Sequence, residues 1–107
     1  MGAMVTIKYT ASLEETQAQT LAKGLKSLVE EAIGGSDVFV YADAARIAVG
    51  AEPLEVFIQV NSNKITDPTQ LINDIADRLA EWKRQNSFEH LINLNVIPVQ
   101  WHSKIGI

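Results

Sequence analysis

The order of apolar and polar residues in this chain describes the same unit twice: a strand, a long helix, a strand, then a short apolar tail built around a cation and an isoleucine. The first copy ends in Ala45-Arg46-Ile47-Ala48 and the second in Ser103-Lys104-Ile105-Gly106. A helix that joins two strands of one sheet running the same way makes a right-handed crossover. Two such units side by side predict a four-stranded mixed sheet with both helices on one face, an α+β fold made of a tandem β-α-β repeat. With 107 residues and 47% hydrophobic content, one core is affordable and two are not. Residues 5–52 and 53–107 are the expected repeat units of that single domain.

The periodicities behind this reading are local. Val5-Thr6-Ile7-Lys8-Tyr9-Thr10 alternates with period two, as a half-buried strand does. Ser12 with Glu15 three residues on predicts a capping box. Leu21, Leu25, Leu28, Val29 and Ala32 then recur at helical spacing, and Gly34-Gly35 supplies the stop. Val38-Phe39-Val40-Tyr41 predicts a strand buried on both faces. Pro53 breaks the pattern, and residues 54–60 form the third strand. Asp67-Pro68 offers an N-cap with proline at the first helical position, after which Leu71, Ile75, Leu79 and Trp82 line one helix face. Residues 91–99 give the fourth strand, with Pro98 near its end, where a missing donor is tolerated at a sheet edge. No third helix remains for the other face of the sheet. The expected cover is another copy of the chain, which makes a homo-oligomer.

Charge and composition narrow the partners. Thirteen acidic against nine basic side chains leave a net charge of −4, so phosphate backbones and anionic lipids are not attracted and neither nucleic acid nor membrane is expected. The absence of cysteine excludes disulfides and thiolate metal sites and suits a reducing, cytoplasmic setting. No pair of histidines shares a helical face, so no metal is expected, and no cofactor motif is present: Gly34-Gly35 follows a helix and lacks the strand-to-helix context of a phosphate loop. No run approaches the ~20 apolar residues that cross a bilayer. Met1-Gly2-Ala3-Met4 reads as an expression scar followed by a start methionine, which would make Val5 the first residue after it.

From Val5 onward the chain resembles the tautomerase superfamily, which includes 4-oxalocrotonate tautomerase, malonate semialdehyde decarboxylase and macrophage migration inhibitory factor. The resemblance is carried by the duplicated β-α-β, the third strand Leu54-Glu55-Val56-Phe57-Ile58-Gln59-Val60 and the tail Trp101-His102-Ser103-Lys104-Ile105-Gly106. It implies a homotrimer with sites at subunit interfaces, where an amino-terminal proline moves a proton on a small keto or enol carboxylic acid. The position matching that proline holds Val5, whose α-amine would serve as the catalytic base only if it were the terminus; such an amine ordinarily titrates at ~7.7–8.0. The resemblance further implies a carboxylate clamp, with Lys64 after the third strand as the best positional match, followed by Arg46 after the second and by Lys104 in the tail. Trp101 matches an aromatic pocket wall, which would exclude water and strengthen charge interactions inside. His102 beside it is of the residue type that exchanges protons near neutrality. Neither arginine of the best-known tautomerase pattern is present: those places hold Ser12 or its neighbours and Phe39.

Each of these residues also has an ordinary reading, as a strand residue, a solvated cation or packing at an interface. Three functions therefore stand: a tautomerase-like isomerase, a tautomerase-fold binding or scaffold protein without the chemistry, and a ferredoxin-like dimeric binding domain with antiparallel-sheet βαβ halves. Strand order separates the last from the first two.

Overall fold

The computed structural model of the chain describes residues 2–35, 37–50 and 54–107. The elements follow the order β1 (Ala3–Tyr9), α1 (Glu15–Ala32), β2 (Val38–Ala44), β3 (Leu54–Asn61), a short 3-10 turn (Ser62–Lys64), α2 (Pro68–Gln85) and β4 (Asn93–Val99). The strands form one sheet in the order β2-β1-β3-β4. β1 runs parallel to β2 and β3 parallel to β4, while β1 and β3 meet antiparallel at the centre. Direct parallel pairing of β1 with β2 excludes the ferredoxin-like alternative, whose sheet is antiparallel. Pro53 and the boundary between the repeat units lie outside the described residues.

One face of the sheet is covered by both helices. Val5 and Ile7 of β1, Val56, Ile58 and Val60 of β3, Leu21, Leu25 and Val29 of α1 and Ile75 of α2 are fully enclosed in a single core. This is the alternation of the strands and the 3.6-residue stripe of the helices meeting each other. Asp67 caps α2 by accepting from the Thr69 and Gln70 amides at 3.0 and 3.3 Å. Gly34 and Gly35 end α1 with φ of 80° and 85°, a backbone that only glycine takes without steric cost. The helices close against each other where Trp82 lies on Gly24: a Cβ at residue 24 would land on the indole. Arg78 ties the pair together, reaching Glu31 across the helices at 2.9 Å and Asp74 on its own helix at 3.1 Å. Among the described residues, no helix is long and apolar enough to cross a membrane.

Four local expectations are corrected. α1 starts after Glu14, where Gln17 Oε1 accepts the Glu14 amide at 3.0 Å, and not at Ser12. The reason is Leu13, which is buried and whose amide closes a turn onto the Thr10 carbonyl, leaving Ser12 to pair with the Thr10 hydroxyl. β1 begins at Ala3, two residues ahead of Val5, because Ala3 is itself enclosed and in register with Val38 and Val60. β2 is not buried on both faces: it is an edge strand, and Phe39 and Tyr41 remain 43% and 55% exposed. β4 starts at Asn93, leaving Leu91 exposed outside it, and Pro98 lies on that edge strand as expected.

Candidate functional site

The sheet has two ends, and the candidate residues divide between them. At one end Ala3, Val38, Val60 and Pro98 stand in register across all four strands. Backbone bonds seal this end: the Gly2 and Ala3 amides both donate to the Asp37 carbonyl, at 3.0 and 3.1 Å, and the Asn61 amide donates to the Gly2 carbonyl at 3.1 Å. Lys64 closes the 3-10 turn after β3, and Trp101, His102 and Lys104 follow β4, so these four candidates leave the sheet from the same end. Trp101 is half-buried, and Lys64, His102 and Lys104 are exposed. At the opposite end Tyr9, Ala44 and Leu54 stand in register, the Ala45 amide donates to the Tyr9 carbonyl at 2.7 Å, and exposed Arg46 follows. Six residue steps of β1 separate the ends, roughly 20 Å. One chain therefore does not bring Arg46 to Lys64.

Val5 occupies neither end. It is an enclosed, internal residue of β1, in register with Val40 and Ile58. A free amine at Val5 requires removal of residues 1–4, and with Gly2 and Ala3 go the three backbone bonds that seal the strand's start. Each such bond contributes about 0.5–1.5 kcal/mol net. Lys64 has a second difficulty: it lines a hollow of about 450 Å³ on the helix side of the sheet together with Asp67, Asp74 and Asp77. Three carboxylates around one ammonium repel an anionic ligand there.

The open face of the sheet, opposite the helices, carries what the periodicity left unplaced. Phe39, Met4, Gln59 and Ile97 form one row across the strands, Tyr41, Thr6, Phe57 and Asn95 the next, and Asp43, Lys8, Glu55 and Asn93 the third. Lys8 pairs with Asp43 at 3.1 Å. At the Tyr9 end a groove of about 430 Å³ opens, lined by Tyr9, Phe57, Ile47, Val49, Lys8 and Glu55. Tyr9, Phe57 and Val49 were not among the sequence candidates. The signal available was the alternation of Ile47 and Val49 in a segment that belongs to no helix. Among the described residues, no group of three or more His, Asp or Glu side chains is placed to hold a metal ion.

No family model and no curated protein matches the chain by sequence. Solved structures do match in shape. A macrophage migration inhibitory factor-like protein from Entamoeba histolytica aligns over 95% of each chain with a TM-score of 0.63 at 18% identity. The macrophage migration inhibitory factor of Toxoplasma gondii aligns over 96% of this chain and 97% of its own, with a TM-score of 0.63 at 19% identity. This chain has the tautomerase fold. A fused 4-OT, solved as an asymmetric trimer, shares that fold over 91% of this chain and 86% of its own, with a TM-score of 0.65 at 12% identity. At these identities the likeness extends to the backbone path and stops there.

Proposed function

We propose that this tautomerase-fold chain works in the cytoplasm as a homotrimeric isomerase of small keto-enol carboxylic acids, at sites between subunits. The observation that carries the reading is the open sheet face. Apolar Phe39, Tyr41 and Ile97 stand exposed there beside Met4 and Phe57, and a patch of this kind on one chain marks an interaction surface. The fused 4-OT that shares the fold is itself a trimer. Copies meeting over this face also offer the route by which Arg46 of one chain reaches the Lys104 end of another. In that site Lys104 and Arg46 hold the carboxylate, with Lys64 at its margin, and Trp101 walls off water.

Proton transfer is assigned to His102, and to the Val5 amine only in a chain that begins at Val5. Ketonisation needs a base to take the enol proton and an acid to deliver one to carbon, and a single imidazole with solvent exchange performs both without net change in protons. A second reading, a tautomerase-fold binding protein without this chemistry, is favoured by one observation: Val5 stands inside β1 where the resemblance requires a terminal amine.

Ketonisation of phenylenolpyruvate separates the two. The isomerase reading expects His102→Ala to lower kcat about 100-fold, and Lys104→Ala to raise KM with kcat nearly unchanged, because a clamp that holds ground and transition states alike contributes to binding. A chain beginning at Val5 that outpaces both would return the catalytic role to the Val5 amine. Background rates from every variant, including the unaltered chain, would leave the binding protein.

A further inference from the structure

The helix side of the molecule carries a groove that the proposed site does not use. Ala32 and Leu71 line one hollow while Gly24 meets Trp82, so α1 and α2 run antiparallel with a seam between them. Along that seam Gly24, Ser27 and Leu28 of α1 face Asp77, Trp82 and Gln85 of α2 across a hollow of about 540 Å³. From Asp77 to Gln85 it follows α2 for roughly 12 Å, about two helical turns. Its aromatic wall is fixed in place: the Trp82 indole lies on Gly24 and against Phe88, with ring centroids 5.4 Å apart. A ring already immobilised loses little entropy when a partner packs on it, and tryptophan is a side chain on which interfaces concentrate their energy. Glycine and serine on the facing wall leave room for an incoming side chain.

The charge along the groove is one-sided. Glu31, Asp77 and Glu81 line it against Arg78, while Lys23 and Lys83 of the same helices do not. Arg78 is shared by Glu31 and Asp74, and Glu81 is matched by Arg84 outside the groove. Among the described residues, Asp77 has no ion-pair partner. A cationic side chain seated beside Asp77 gains a carboxylate without displacing another group from it.

We propose that this groove docks a basic amphipathic helix of another protein. One apolar side chain of that helix enters the hollow between Trp82, Leu28 and Ser27, and a lysine or arginine one turn away pairs with Asp77. Two helices with an open seam accept a third by packing its ridge of side chains into their groove, with anchors at helical spacing. The groove lies on the opposite side of the sheet from Phe39 and Tyr41, so copies that associate over the open face leave it accessible. The proposal stands independently of the isomerase reading.

The test uses the full chain with Trp101→Phe, which leaves Trp82 as its one tryptophan. The probe is a synthetic peptide of leucine and lysine at helical spacing, about four turns long. Two controls accompany it: the same residues at period two, and the helical pattern with glutamate in place of lysine. The helical leucine-lysine peptide is expected to shift Trp82 emission saturably, and the controls are not. Ser27 and Asp77 are exposed, so Ser27→Phe, which fills the hollow, and Asp77→Lys keep the melting temperature while each weakens binding about ten-fold. Near 1 M salt the Asp77→Lys difference fades, as screening shortens to a few ångströms, and the Ser27→Phe difference persists. Equal affinity for the period-two peptide, or binding that Ser27→Phe leaves intact, would show general attraction of a cationic peptide to an acidic chain and overturn the docking site. Tight binding of the glutamate peptide, or no emission shift with any peptide, overturns it as well.

Discussion

The two faces of this sheet are written in the same alternating code and end in opposite states. On the helix side, Val5, Ile7, Val56 and Ile58 meet the stripes of α1 and α2 and are enclosed by the chain itself. On the other side, Met4, Phe39, Tyr41, Phe57 and Ile97 stand in two rows beside a third that holds Lys8, Asp43 and Glu55, and among the described residues no helix covers them. The difference teaches that alternation reports where a residue points and says nothing about whether a partner is waiting. A face that mixes aromatic rings with a charged row is suited to docking with defined orientation, because apolar area supplies attraction and charge supplies register.

The largest expected effects fall on the helix-covered face. Leu25→Ala and Leu79→Ala each remove a side chain from the enclosed core and should cost about 2–5 kcal/mol in denaturant unfolding. Losses under 0.5 kcal/mol would break the comparison by showing the helix stripes to be unpacked. Gly24→Ala should cost about 1–3 kcal/mol, since the added methyl collides with the Trp82 indole; Gly24→Ala combined with Trp82→Leu should recover part of that loss, which separates collision from helix propensity. Ser87, in the left-handed region with φ of 50° just after α2, is a smaller case of the same kind. Ser87→Gly should stabilise by roughly 0.5–1 kcal/mol, read as a rise in the denaturation midpoint.

The open face sharpens the contrast from below. Phe39→Ser should change the unfolding free energy of the dilute chain by less than about 0.5 kcal/mol, as surface substitutions do, while weakening association measured by light scattering. Equal damage to folding would mean that the face is already covered within one chain. Smallest of all is the pair formed by Glu81 and Arg84 on the surface of α2. The Arg84 hydrogen bond holds the Glu81 carboxyl below its ordinary value, and Glu81 holds the Arg84 guanidinium above its own. The Glu81 contribution is therefore present above the unfolded carboxyl's value and lost as pH falls through the lowered one. Acid unfolding of Glu81→Gln should differ from the unaltered chain only in that acidic window, and the difference should shrink with added salt.

Much of the fold was legible because its signals are local. The α1 and α2 stripes, the Asp67-Pro68 start and the Gly34-Gly35 stop depend on neighbours three or four residues away, and each stands where the spacing put it. The errors arose where distant residues decided. Ser12 lost the cap of α1 because burial of Leu13 fixed a turn first, and β1 reached back to Ala3 because Val38 and Val60 were there to pair with it. The candidate site was less legible. Lys64, Trp101, His102 and Lys104 do leave the sheet from one end, yet Arg46 lies at the other, and the aspartates around Lys64 come from α2 and its N-cap.

The sequence by itself determined the duplicated β-α-β unit and the mixed sheet with its helices on one side, because hydrophobic spacing is a property of consecutive residues. Only the tertiary structure decided that Val5 is an interior strand residue, that the cations divide between two ends of the sheet, and that the tails carrying Ile47, Val49, Ile105 and Ile107 are left without cover. Those facts depend on strand register and on the distance between ends. Register is settled by pairing between residues far apart in the chain, and periodicity along the chain carries no record of it.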